Sequence, residues 1–154
     1  MPDLSFFGSR ERNLRARARG RVLDLGHRDR DGTRVDLEEL VRAAATFDSI
    51  VSIFQLSSSR HPLREARYIE QLIADDGEFL FLEATATPGL IGSLQRTVGP
   101  PSYDIPALLR EAGMCMSDCD RITVANPLRP RMYVEGAAFR ALQPTRTDTE
   151  MSET

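Results

Sequence analysis

Residues 47–83, FDSIVSIFQLSSSRHPLREARYIEQLIADDGEFLFLE, decide the fold. Two runs of strand length frame the stretch. Asp48–Gln55 carries Ile50, Val51, Ile53 and Phe54, and Glu78–Glu83 encloses Phe79, Leu80, Phe81 and Leu82. Neither run alternates apolar with polar, so both faces of each strand need cover. That is the habit of strands in a parallel sheet under helices. Between them, Pro62 suits the first turn of a helix. Leu63, Ala66, Ile69, Leu72 and Ile73 repeat at helical spacing up to Ala74. Asp75-Asp76-Gly77 reads as a turn. Strand, helix, turn and strand make a βαβ unit, with Phe79–Leu82 as the central strand beside Ile50–Ile53.

The flanks extend the pattern. Towards the N-terminus, an Arg-rich helix is expected over about 9–19, capped by Ser9 and stopped by Gly20. Arg21–Gly26 reads as a strand, His27–Thr33 as a polar turn, Arg34–Asp36 as a brief strand and Leu37–Ala45 as a helix. Towards the C-terminus, Asp104 caps a helix with Pro106 in its first turn, and Gly113 ends it. Met114–Ala125 and Arg131–Leu142, joined by Asn126–Pro130, form an antiparallel hairpin at one sheet edge. Within it Ile122 and Val124 alternate with Arg121 and Thr123. Cys115 and Cys119 fall on one strand face. Residues 1–142 are expected to form one α/β domain with an open, mostly parallel sheet, and 143–154 a disordered tail.

Composition narrows the function. The 154 residues are 41% hydrophobic and 28% charged, as in soluble globular chains. The longest apolar runs fall far short of the roughly 20 residues a membrane span needs. No secretory signal order is visible at the N-terminus, so a cytoplasmic protein is expected. Every cation is arginine, and the absence of lysine excludes a Walker A loop and Schiff-base chemistry. Two cysteines make no disulfide framework, and no ligand spacing supports a metal site. Residues 1–34 hold nine Arg against five acids, net +4; the rest is net −7. The favoured reading is that the basic segment packs on the acidic body. Binding of anionic lipid or nucleic acid through the arginines of 10–21 is the weaker one.

Four stretches, in order over about 20–142, together resemble the class I S-adenosylmethionine-dependent methyltransferases. Gly20-Arg21-Val22-Leu23-Asp24-Leu25-Gly26 is similar to the family's first strand and the start of its cofactor loop. Phe47–Leu56 resembles its "FDxVVSxxxL" strand, and Pro62–Glu83 the helix and strand that follow. Leu108-Leu109-Arg110-Glu111-Ala112-Gly113 is similar to the "LLREAGF" before its last hairpin. The resemblance implies a Rossmann-like sheet with an antiparallel C-terminal hairpin, S-adenosylmethionine as cofactor, and a small-molecule or lipid substrate. One departure is large. His27-Arg28-Asp29-Arg30-Asp31 stands where the family has further glycines, and only eleven residues separate Asp24 from Asp36. A crossover of about a dozen residues plus a strand does not fit there. The N-terminal half is therefore read as abbreviated, with weak or lost cofactor binding.

The candidate residues follow from that likeness and from position. Asp24 and Gly26 are what remains of a cofactor loop, or a plain turn with an Asp cap. Asp36 takes a ribose, or caps the next helix. Phe54 and Gln55 end the central βαβ's first strand, at the carboxyl edge where open α/β sheets bind ligands. His61, in the loop beyond, suits a base near neutral pH, or simply belongs to a polar loop before a helix. The rival to an enzyme is a catalytically inactive methyltransferase-like interaction or scaffold protein. Loss of a covered flank predicts a homodimer or a protein partner.

Overall fold

The computed structural model describes residues 4–26, 34–86, 103–124 and 131–141. The His27–Asp31 segment, the Asn126–Pro130 linker and the 143–154 tail lie outside the described residues. In chain order the elements are α1 (Leu4–Arg17), β1 (Val22–Asp24), α2 (Leu37–Arg42), β2 (Phe47–Ile53), α3 (Pro62–Leu72), β3 (Ile73–Thr85), α4 (Ile105–Glu111), β4 (Met114–Val124) and β5 (Arg131–Arg140).

The five strands form one mixed sheet in the order β1-β2-β3-β5-β4. β1, β2 and β3 run parallel; β5 runs against β3, and β4 against β5. Four of the five strands therefore point the same way, and only β5 is reversed. This is the Rossmann-like, mostly parallel arrangement with a C-terminal hairpin. β3 lies at its centre. Ile50 stands opposite Phe79, Val51 opposite Leu80, and Ile53 opposite Leu82.

Both faces of these strands are covered, which explains the missing alternation. Ile50, Phe79, Phe81, Val134 and Ala138 face the layer of α2, α3 and α4, against Leu37, Ala66, Ile69, Leu72, Ile105 and Leu109. Val51, Ile53, Leu80, Leu82, Tyr133 and Ala137 face α1, which contributes Leu14 and Phe7, with Ala18 just beyond its end. The α1 layer is also an electrostatic one. Arg10 pairs with Glu135, Arg15 with Asp24 at 2.8 Å, and Arg17 with Asp118 at 2.9 Å and Glu78 at 3.8 Å. The described helix of the basic segment thus packs on the acidic body through Arg10 and Arg17, while Arg15 pairs within the segment itself.

Several boundaries differ from the sequence reading, each for a tertiary reason. α1 begins at Leu4, not Ser9. Phe7 packs edge-on against Phe54 and Tyr133, with ring centroids 5.6 and 4.9 Å away, which makes an earlier turn worth ordering. Arg34–Asp36 is no strand, because Asp36 is spent as the N-cap of α2; its carboxylate accepts from the Glu39 N–H at 3.2 Å. α2 stops at Arg42, short of Ala45, with Ala44 at φ 52°. α3 stops at Leu72, and Asp75-Asp76-Gly77 is no free turn. It lies inside β3, where the register shifts between Phe47 and Ser49 of its neighbour. Cys115 and Cys119 face opposite ways. A bulge between Met116 and Asp118 pairs them with Phe139 and Gly136, three residues apart on β5.

Candidate functional site

The carboxyl ends of β1 and β2 open onto α2 and the N-terminus of α3. A cleft of about 280 Å³ lies there, lined just past β1 by Leu25, just past β2 by Gln55, at the start of α2 by Arg34, Asp36 and Glu38, and from α3 and its N-cap by His61, Arg64, Glu65 and Tyr68. Three of the candidate residues, Asp36, Gln55 and His61, are therefore brought together. The other three are not among the described lining residues. Asp24 is engaged on both oxygens: Oδ2 accepts from Arg15 Nε at 2.8 Å and Oδ1 from the Gly26 N–H at 2.9 Å. Gly26 closes that small turn. Phe54 points to the opposite side of the sheet, into the aromatic cluster with Phe7 and Tyr133. It does so from a left-handed backbone, φ 57°, which turns the chain sharply out of β2.

That turn is held by a group the sequence reading passed over. Glu83 ends the apolar run of β3 and is wholly buried. Its Oε1 accepts from Ser52 Oγ at 2.6 Å and the Leu56 N–H at 3.2 Å. Its Oε2 accepts from the Ser57 N–H at 3.0 Å and Ser57 Oγ at 2.8 Å. Four donors from β2 and the following loop converge on one carboxylate, fixing the segment that delivers Gln55 and then His61 to the cleft. Ser59 extends the support, its Oγ accepting from the His61 N–H at 3.0 Å. His61 occupies the N-cap position of α3 without a capping side-chain bond. The visible signal was an acid placed directly after Phe79–Leu82, at a position too deep for a solvated charge.

Burial pushes the Glu83 carboxyl above the usual carboxylate range, against the pull of its four hydrogen bonds. The native state then holds this proton more tightly than the unfolded chain. The resulting stability is full below the ordinary value of 4.5 and is lost as pH rises through the folded-state value. Glu83→Gln, which does not titrate, is expected to flatten that slope. It should also cost about 1–3 kcal/mol, since its amide NH₂ faces donors. Urea unfolding at several pH values reads both effects; a slope equal to the parent's contradicts the assignment.

No family model and no curated protein matches this chain. Solved structures do. The [4+2]-cyclase SpnF aligns at 14% identity and TM-score 0.54, over 72% of this chain and 57% of its own. CrArsM, an arsenic(III) S-adenosylmethionine methyltransferase from Chlamydomonas reinhardtii, aligns at 18% identity and TM-score 0.51, over 70% of this chain and 43% of its own. The chain thus spans about half the length of these neighbours. The shared feature is the fold. It serves a cyclisation in one neighbour and a methyl transfer in the other, so the reaction has to be argued from the cleft.

Proposed function

We propose that residues 1–142 form a shortened methyltransferase-like domain whose cleft at the ends of β1 and β2 receives S-adenosylmethionine, for transfer to a small molecule or lipid. The observation that carries the reading is the meeting of Asp36, Gln55 and His61 at the carboxyl edge of parallel strands. The residues there fit the donor in kind. Asp36 and Glu38 would hold ribose hydroxyls and oppose a sulfonium charge, Leu25 and Tyr68 would flank the base, and His61 would take a proton from an acceptor. When bound, the donor supplies the methyl group; the chain supplies orientation and exclusion of water.

They fit it incompletely in amount. The described cleft lies just under the roughly 300–1,000 Å³ of ordinary ligand pockets. Asp36 already serves as a cap, and the glycines of a full cofactor loop are absent from the sequence. Binding weaker than the low micromolar range is therefore expected in calorimetric titration of the purified chain with S-adenosylmethionine and its demethylated product. Saturation in the hundreds of micromolar, about −5 kcal/mol, supports the proposal. A low micromolar constant contradicts the shortened-loop reading.

No heat even at millimolar donor favours the second reading, an inactive domain that binds another protein. One observation speaks for that reading. β1 is an edge strand of the sheet, with Val22 43% exposed. A homodimer or a tight partner complex is expected, and light scattering checks it. A monomer that stays soluble at high concentration would remove the support for this reading.

A further inference from the structure

A second concavity adjoins the cleft. A groove of about 400 Å³ runs along the exposed side of α3, lined by His61, Leu63, Arg64, Arg67, Tyr68 and Gln71. It shares His61, Arg64 and Tyr68 with the cleft. The two differ in charge. The cleft sets Asp36, Glu38 and Glu65 against Arg34 and Arg64. The groove has two arginines and no carboxylate among its described lining residues. Arg64 and Arg67 form no ion pair or side-chain hydrogen bond with any described residue, whereas Arg10, Arg15 and Arg17 of α1 are all paired. Positions 64, 67, 68 and 71 are neighbours on one helical stripe, so two guanidinium forks, a phenol and an amide face the same space. Leu63 and the Tyr68 ring add an apolar wall beside them.

We propose that this groove binds the oxyanion of a small ligand, a carboxylate or phosphate carried on an apolar or aromatic body. The guanidinium groups of Arg64 and Arg67 take the oxyanion in charge-assisted, fork-like hydrogen bonds, and the body lies on Leu63 and Tyr68. A polyanion is disfavoured by the acidic body around it. That this ligand is the methyl acceptor, seated across His61 from the donor, rests on the reading of the cleft proposed above; the anion site itself does not.

The test uses the full chain titrated with sodium benzoate and, separately, with inorganic phosphate, followed by calorimetry and by NMR shifts at two salt concentrations. Saturable binding to the parent is expected. It should weaken about tenfold or more in Arg64→Gln, in Arg67→Gln and in the double variant. Arg12→Gln, an exposed exchange on α1, should bind as the parent does. Tighter benzoate assigns a carboxylate on an aromatic body; tighter phosphate assigns a phosphate. Absence of saturation by either anion overturns the proposal, as does an equal loss in Arg12→Gln. S-adenosylmethionine is titrated in parallel. If it fails to bind while the anion binds, the methyltransferase reading falls and the anion site stands.

Discussion

Replacing Phe81 by alanine is expected to lower stability by about 3–5 kcal/mol, through lost transfer energy and the cavity left behind. Phe81 is fully buried in the central strand, stacked on Phe79 with ring centroids 5.7 Å apart. It lies between Ser52 of β2 and Gly136 of β5 in register, under the α3 and α4 layer. The neighbours are fixed by two strand ladders and have little room to collapse inward, which puts the cost at the upper end of that range. Domains of this size hold only about 5–15 kcal/mol in all. The variant should therefore melt many degrees lower or fail to accumulate in soluble form. Asn13→Ala on the exposed side of α1 should stay within about 0.5 kcal/mol. Parent-like melting of Phe81→Ala would refute the central-strand assignment.

The same residues show what a sequence discloses. Phe79–Leu82 and Ile50–Ile53 were legible because burial on both faces removes alternation, and no loop or surface strand tolerates that pattern. The α3 stripe and the Asp104 cap were legible for similarly local reasons; the Asp104 carboxylate accepts from the Ala107 N–H at 3.2 Å. What escaped depended on distant partners. The start of α1 is set by Phe7 meeting Tyr133, more than a hundred residues away. The opposed faces of Cys115 and Cys119 come from one bulged residue in β4, since inserting a residue flips every side chain beyond it.

The site was legible in part. Gln55 is marked out by a topological rule, that open α/β sheets bind ligands beyond the carboxyl ends of their strands, and His61 by its loop beyond that strand and the family resemblance. Asp36 suits a ribose or a helix cap by its position in the sequence, and the structure shows the cap, its carboxylate accepting from the Glu39 N–H. Phe54 failed to join the cleft because its positive φ swings it across the sheet. Glu83 escaped because a buried carboxylate is recognised only by its donors, and three of its four hydrogen bonds come from a loop 26–27 residues earlier.

The β4 bulge makes the second large effect. Gly136→Ala is expected to cost about 3 kcal/mol. A Cβ built there would lie 2.2 Å from the Asp118 carbonyl oxygen and 3.0 Å from Cys119 Cα. Both are backbone atoms of the strand paired with β5, so no side-chain rotation relieves the clash. β4 must move away, and the Cys119 and Asp120 pairings with Gly136 and Glu135 weaken together. Overpacking of this kind costs about 1–3 kcal/mol, and each ladder bond lost adds about 0.5–1.5. The smaller entropy of an unfolded Ala chain returns about 0.4–1 kcal/mol. Gly20→Ala is the instructive comparison. Its Cβ would lie 2.3 Å from Asp48 Oδ2, closer in kind to a side-chain tip, and its φ of 66° adds left-handed strain. Swinging the Asp48 carboxylate aside costs its 2.7 Å bond from the Arg21 N–H and still leaves Asp48 Cβ 2.7 Å away, so the exposed Gly20 turn must also open. About 2 kcal/mol is expected, below Gly136→Ala because this turn is free to shift where a strand paired in the sheet is not. Denaturant unfolding of the two variants should rank Gly136→Ala as the more damaging. The reverse order would mean that β4 yields easily at its bulge, and that the C-terminal hairpin contributes less to the sheet than its ten-residue register with β5 suggests.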